Sequence, residues 1–285
     1  MEESIMNQIQ NNTGLLGYSQ MSRIQRFTHN DKIIYSSDRE VLSVYANENS
    51  EIFLNLELSK FIIDNIAKLW NQDTYNFFTE INDDVKELQS KESELQKFES
   101  QQKNTVLYNQ IVPKEQEKID QKTKAIDERI SLFLKKNNHG MLKDLLLEGN
   151  LSKDYQYYFL NNIWFEVFIY TIFKNLDVAK EVIFRCRISG KTGFKHQIDI
   201  AMITSLYTVI IEAKSRGYKK QEYMDLIGKK SDINADIAVL ISGEDYPHDA
   251  VYSDKYRNVF VFDRIFDKNF EEVVNLIKEI FLLKK

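Results

Sequence analysis

The sequence predicts an α/β protein in three parts: a small α+β region over residues 1–79, a helical hairpin or spacer over 80–150, and a C-terminal α/β domain over 151–285. Three observations lead there. Short β-rich runs fill residues 32–56. Residues 80–136 are dominated by Glu, Gln, Lys and Ser, with only a thin apolar stripe. From residue 151 onward, continuous apolar runs alternate with amphipathic stretches, the pattern of strands and helices layered around one core.

The elements follow in order. Residues 1–24 are polar and weakly patterned. Thr13-Gly14-Leu15-Leu16-Gly17 reads as a turn, without the Lys-Ser/Thr that a phosphate-cradling loop needs. Residues 32–36 and 41–46 read as strands, joined by a hairpin turn at Ser36-Ser37-Asp38-Arg39. Ile52-Phe53-Leu54-Asn55-Leu56 reads as a third strand. Ser59 is placed to N-cap a helix with Ile62, Ile66 and Leu69 on one face. Further on, Val85, Leu88, Leu95 and Phe98 form one stripe. Ile119, Ile126 and Phe133 then recur every seven residues, with Ile130 between them. Pro113 is expected to separate two helices that fold back on each other. Their seam has two readings: a solvated spacer, or an element through which the chain forms a homodimer. Met141, Leu142, Leu145, Leu146 and Leu147, followed by Gly149, predict a short helix and its stop. The C-terminal domain is expected to hold a helix over 155–175 and strands near 181–188, 197–203 and 207–213. A helix near 218–230, strands at 237–241 and 258–262 and a last amphipathic helix over 267–283 complete it.

Composition excludes several classes. The net charge of −5 is unevenly spread, about −6 over residues 1–150 and +1 over 151–285. That argues against a protein that coats nucleic acid, but leaves room for a local basic patch. Cys186 is the sole cysteine, so no disulfide forms within the chain, which suits a reducing cytoplasm. With the four histidines scattered at 29, 139, 196 and 248, a Cys/His zinc site is not expected either. Met1-Glu2-Glu3-Ser4 is too polar for a signal peptide. No apolar run approaches the roughly 20 residues that span a membrane. A cytoplasmic protein without membrane partners is therefore expected.

The residues with chemistry lie in the C-terminal part. Asp199 sits in Gln197-Ile198-Asp199-Ile200-Ala201-Met202, where strict alternation puts Ile198, Ile200 and Met202 on one face and Asp199 on the other. The next apolar strand ends in Ile211-Glu212-Ala213-Lys214, so Glu212 and Lys214 share a face. Two carboxylates and an ammonium converging at strand ends suit a divalent metal and a phosphate. Upstream, Phe159, Ile163, Glu166, Tyr170 and Phe173 step by 4, 3, 4 and 3 along one helix face. Glu166 therefore lies in an apolar stripe. It needs a partner there, or must turn to the solvent edge. Taken singly, each acid has a plain structural explanation, such as a strand-end salt bridge of little worth. Their joint spacing points to a site.

This segment resembles the PD-(D/E)xK restriction-endonuclease-like superfamily, and within it the nuclease domain of Card/Can-type CRISPR ancillary effectors. The resemblance covers about residues 155–243. It rests on Trp164-Phe165-Glu166 for the family's Trp-(Leu/Phe)-Glu, on Gln197-Ile198-Asp199-Ile200 for its strand acid, and on Ile211-Glu212-Ala213-Lys214 for its hydrophobic-Glu-x-Lys. It implies a mixed sheet flanked by helices and an endonuclease dependent on Mg²⁺ or Mn²⁺. Asp199, Glu212 and the Ala213 carbonyl would ligate the metal, with Glu166 as a further ligand. Lys214 would orient or deprotonate the attacking water. Such effectors also carry a Rossmann-like sensor domain. Residues 1–150 lack its succession of strands and helices, so control by cyclic oligoadenylate is not expected.

Arg216, Lys219, Lys220, Lys229 and Lys230 follow the second acidic strand, with Glu222 and Asp225 as the only acids among them. They are candidates to hold a nucleic-acid backbone. The sequence thus points to a metal-dependent nuclease acting on nucleic acid, DNA ahead of RNA, in a defence or mobile-element context. The alternative is a catalytically weak nuclease-fold protein that binds or scaffolds through its helical hairpin.

Overall fold

The computed structural model describes residues 25–29, 32–36, 44–46, 50–102, 106–137, 153–245 and 258–282. The turns expected at 13–17 and 36–39 and the helix expected at 140–150 lie outside these. In chain order the elements are β1 (Gln25–His29), β2 (Lys32–Ser36), β3 (Val44–Ala46), α1 (Ser50–Asn55), α2 (Glu57–Leu69), α3 (Gln72–Gln102), α4 (Val106–Lys136), α5 (Lys153–Leu160), α6 (Ile163–Lys174), β4 (Ala179–Ser189), β5 (Lys195–Thr204), β6 (Thr208–Lys214), α7 (Lys220–Ile233), β7 (Ile237–Ser242), β8 (Val259–Phe262), a short 3₁₀ turn (Ile265–Asp267) and α8 (Phe270–Leu282). The chain divides into two compact units: residues 52–168, and residues 1–51 with 169–285.

The second unit holds a six-stranded mixed sheet in the order β3-β4-β5-β6-β7-β8. β3 to β6 are mutually antiparallel, and β6, β7 and β8 are parallel. The α/β class and the mixed sheet match expectation. β7 reads Ile-Ala-Val-Leu-Ile-Ser and is buried throughout, as a strand covered on both faces must be. α7 crosses from β6 to β7 and buries Tyr223, Leu226 and Ile233. These side chains share a core cluster with Ile183, Cys186, Ile198 and Leu240, among others. Ile198 and Ala201 both belong to that cluster, so the strict alternation expected across Asp199 is interrupted. The cross-strand neighbour supplies the cause. Buried Arg185 takes a left-handed backbone, φ 47°, between the paired residues Phe184–Ile200 and Cys186–Ile198. A residue in that conformation turns the strand and re-aims the side chains around it.

The first unit is helical. α3 and α4 form the expected hairpin, with Arg129 bridging Glu80 (2.7 Å) and Asp84, and Lys122 meeting Glu87. The break, however, falls after Gln102, and Pro113 lies inside α4. Pro113 and Asn109 are both exposed. Water can therefore meet the carbonyl that the proline leaves unbonded, and the helix continues. The heptad seam closes within the chain. Ile119, Ile126 and Ile130 are buried, and Phe133 stacks on Phe77 with ring centroids 4.2 Å apart. The surface that suggested homodimerisation is thus covered by the unit itself.

Other expectations are corrected. β2 pairs with residues 25–29 rather than 41–46, and Val44–Ala46 joins β4 instead. Residues 52–55 are helical, not a strand. Ser59 lies inside α2 and bonds the buried Tyr158 hydroxyl at 3.0 Å, so it is no N-cap. The single helix expected over 155–175 is two helices, broken at Asn161-Asn162, where Asn162 adopts φ 54°. Asn tolerates that conformation better than most residues. Among the described residues before 138, three strands are followed by four helices, with no strand–helix alternation. No helix among the described residues is long and apolar enough to cross a membrane.

One buried charge in the helical unit stands out. Asp127 is 4% exposed, and neither carboxylate oxygen has a hydrogen-bond partner among the described residues. Burial pushes its carboxyl from 3.8 up to about 6. A raised folded-state pKa means that stability is fullest below the unfolded value and is lost as pH rises through about 6. Asp127→Asn should therefore unfold at higher denaturant than wild type above roughly pH 7, by an amount on the order of 2–3 kcal/mol. The two should converge below roughly pH 4. Urea titrations at several pH values check this.

Candidate active site

The site forms where two strands part. β5 and β6 pair from Ile203–Thr208 up to Ile200–Ile211 and no further. β4 stays paired to β5 as far as Ser189–Lys195, and β7 stays paired to β6 as far as Lys214–Ser242. One residue past the last β5–β6 pair stand Asp199 and Glu212. Asp199, 8% exposed, accepts the Ala213 N–H on Oδ2 at 2.9 Å. A side chain thus satisfies a backbone donor for which the departing strand offers no carbonyl. Glu212, 6% exposed, shares the space. Burial first, then the negative charge of Asp199, push its carboxyl up to about 7.

Two ammonium groups oppose that repulsion. Lys229 Nζ lies 2.5 Å from Glu212 Oε1 and donates also to the Gln197 carbonyl at 3.0 Å. Lys214 Nζ lies 3.7 Å from Glu212 Oε2 and 3.7 Å from Glu222 Oε1. The other oxygen of Glu222 accepts the Lys219 N–H at 2.7 Å, at the start of α7. Glu222 therefore caps the helix with one oxygen and faces the site lysine with the other. Gly217 lets this loop pass close to the chain after β7, since a Cβ there would come within 2.5 Å of the Asp245 carbonyl oxygen.

The structure brings together Asp199, Glu212, Ala213 and Lys214. It corrects Lys229. Expected on a nucleic-acid surface, Lys229 instead reaches into the acidic pair. Its helix spacing explains this, because Glu222, Leu226, Lys229 and Ile233 step by 4, 3 and 4 along one face, and Leu226 and Ile233 are core. The rule that singled out Glu166, a charge within an apolar stripe, would have found Lys229 too. Arg216, Lys219 and Lys220 are exposed, while Lys230 is half-buried. Glu166 lies in the other compact unit. It is 6% exposed on α6, where every residue from 163 to 173 is buried, so that helix offers it no solvent edge. Gln221 is exposed and Tyr223 packs in the core.

The donor chemistry fits a hard cation. Asp199, Glu212 and the Ala213 carbonyl are all oxygen donors, and the two buried carboxylates repel each other. Among the described residues no three His, Cys, Asp or Glu side chains cluster to hold a metal. Two carboxylates and a carbonyl are the kind of donor set that an ion such as Mg²⁺ accepts, since it binds through one or two carboxylates and keeps much of its water.

No protein-family model matches the chain, and no curated protein matches it by sequence. Among solved structures it is similar to protein VC1899 from Vibrio cholerae, at 11% identity and a TM-score of 0.46, covering 84% of this chain and 59% of that one. It is also similar to Can2 from Sulfobacillus thermosulfidooxidans, solved in complex with cyclic tetra-adenylate, at 13% identity and a TM-score of 0.40, covering 92% of this chain and 71% of that one. The chain thus spans a little over half the length of VC1899.

The Lys229–Glu212 pair makes a test that needs no ligand. Lys229→Met leaves two adjacent buried carboxylates with Lys214 more distant. Stability should fall by roughly 2 kcal/mol, less than for a wholly buried pair because the Lys229 side chain is 25% exposed. Adding Glu212→Gln to that variant should recover most of the loss. Denaturant unfolding of both single variants and the double variant gives the coupling.

Proposed function

We propose that the chain is a metal-dependent nuclease that hydrolyses phosphodiester bonds, with DNA ahead of RNA as substrate, in a defence or mobile-element setting. The observation that carries this reading is the burial of Asp199 and Glu212 at the parting of β5 and β6, with Lys214 two residues further along β6. Asp199, Glu212 and the Ala213 carbonyl would hold a divalent cation, which when bound would supply charge compensation on the phosphate and a more acidic water. The chain's own groups do the rest. The Ala213 N–H fixes Asp199 by its Oδ2. Lys214, held between Glu212 and Glu222, orients the attacking water and offsets the negative charge that develops on the pentavalent phosphorus. The sequence adds Glu166 as an outer ligand on its motif alone. Arg216, Lys219 and Lys220, exposed around the entry to α7, hold the substrate backbone and add salt-dependent affinity.

A second reading, a nuclease-fold binding or scaffold protein, is favoured by one observation: Lys229 already neutralises Glu212 at 2.5 Å. Cleavage of plasmid and single-stranded DNA and of RNA, with Mg²⁺, Mn²⁺ or EDTA, separates the two.

Under the nuclease reading, Asp199→Ala and Glu212→Ala should each lower metal-dependent cleavage by at least about a hundredfold while remaining folded. Lys214→Ala should bind substrate in Ca²⁺ nearly as wild type does, yet lose a similar factor in single-turnover rate. A Lys219→Gln/Lys220→Gln variant should do the reverse, with weaker, less salt-sensitive binding and a rate at saturation close to wild type. Full metal-dependent activity in both carboxylate variants would rule out the site.

A further inference from the structure

We infer that Lys229 is a built-in rival of the divalent cation: its ammonium holds Glu212, must yield it for a cation to bind, and so sets the cation concentration that the acidic pair requires. The inference rests on the metal site of the nuclease reading, not on cleavage.

The contacts of Lys229 come first. Its Nζ lies 2.5 Å from Glu212 Oε1, a direct charge-assisted hydrogen bond. Lys214 stands further off, 3.7 Å from Glu212 Oε2. Asp199 Oδ2 already accepts the Ala213 N–H. The oxygen of Glu212 that a dication would claim is therefore the acceptor of an ammonium. That ammonium has a second anchor. It donates to the Gln197 carbonyl at 3.0 Å, two residues before Asp199 on β5. Lys229 thus spans from β5 to β6 just beyond the last pair of their ladder, across the parting that Asp199 and Glu212 flank. A carbonyl still holds the ammonium once the carboxylate is given up, so Lys229 stays close enough to return.

Of the two partners, the lysine is the one able to withdraw. Its side chain is 25% exposed, against 8% for that of Glu212. Glu212 sits on a strand paired to β7, whereas the Lys229 ammonium ends a flexible four-carbon stem. Packing of α7 is carried by Leu226 and Ile233 on the same face, not by the lysine. Electrostatics then decide the sign of its effect. A carboxylate has two oxygens, and a dication on one is only a few ångströms from an ammonium on the other. In a nearly dry setting their repulsion is weakly screened. Lys229 therefore opposes the cation whichever oxygen of Glu212 the cation takes. It also selects by charge. A monovalent ion gains too little from Glu212 to displace an ammonium hydrogen-bonded there, while a divalent one gains about twice as much.

The test uses the full chain without nucleic acid. Mn²⁺ binding is followed by electron paramagnetic resonance at roughly pH 8, where protons compete little for carboxylates. Lys229→Met and Lys229→Gln should each bind Mn²⁺ at least about tenfold more tightly than wild type, the equivalent of one charge-assisted hydrogen bond that no longer has to break. Lys229→Arg, which keeps the charge, should bind no more tightly than wild type. Lys180→Gln, which removes an exposed cation near the start of β4, should leave Mn²⁺ affinity unchanged. Adding Asp199→Asn to Lys229→Met should abolish the gain. A further measurement needs no variant. In wild type, saturating Mg²⁺ should raise the rate of reductive methylation of the Lys229 amine relative to that of Lys180, read by peptide mass spectrometry. Equal or weaker Mn²⁺ binding by both neutral variants overturns the inference, as does Lys229→Arg binding as tightly as they do. A methylation rate that Mg²⁺ leaves unchanged also overturns it. Cleavage is assayed alongside. If wild type cleaves but the neutral variants bind Mn²⁺ no more tightly, the inference fails and the nuclease reading survives. If the neutral variants gain affinity through Asp199 but neither they nor wild type cleave with any metal, the nuclease reading fails and the role of Lys229 stands.

Discussion

The site depends on one hydrogen bond, from the Ala213 N–H to Asp199 Oδ2. A sheet cannot simply open in its interior, because each parted strand leaves donors and acceptors unmet. At Ile200–Ile211 the β5–β6 ladder ends, while β6 remains paired to β7 on its other side. Asp199 takes the place of a strand neighbour. Its carboxylate is thereby held rigidly, at the point where the sheet has made room for a second one. The aspartate is at once the seal of the opened ladder and half of the acidic pair. Its structural and chemical roles cannot be separated by moving it one residue either way, since the neighbouring positions, Ile198 and Ile200, are fully buried core.

Everything around that bond follows from the cost of buried charge. Two adjacent carboxylates in a nearly dry site demand cations. α7 delivers them by geometry: Glu222 in its first turn restrains Lys214, and Lys229, two turns on, meets Glu212. The helix is in turn fixed by Tyr223, Leu226 and Ile233 beneath the sheet. Apolar packing thus positions a polar network that would otherwise pay a large entropic cost to hold long side chains in place.

Most of the sheet unit was legible in the sequence, because its strands are long apolar runs and its helices strongly periodic. Asp199, Glu212 and Lys214 were legible for the same reason, as charges interrupting such runs. The failures have physical causes. Residues 52–55 are apolar and β-prone, yet too short a run to reveal their period, and they fold as helix. Ser59 looked like a cap because its hydroxyl seeks a partner; it found Tyr158, 99 residues away. Pro113 does not end its helix, since a proline whose freed carbonyl meets solvent need not do so. The left-handed Arg185 carries no local signal, so the disturbed alternation beside Asp199 was invisible. Lys229 was legible by the stripe argument, but its company of lysines suggested a surface.

The charge count around the acidic pair bears on how such a site would take its substrate. Asp199, Glu212 and Glu222 are formally three negative charges, and Lys214 and Lys229 two positive ones. Without a bound cation the cluster is therefore net negative, and a phosphodiester entering it meets repulsion in a setting of low solvent exposure, where charges are weakly screened. One divalent cation reverses the sign and leaves a single positive charge, the complement of one phosphodiester. Lys229 keeps the empty cluster from being more negative still, which lets the fold tolerate it. It does not make the cluster attractive to phosphate by itself. On the nuclease reading, the order that this electrostatics would favour is cation first and phosphate second.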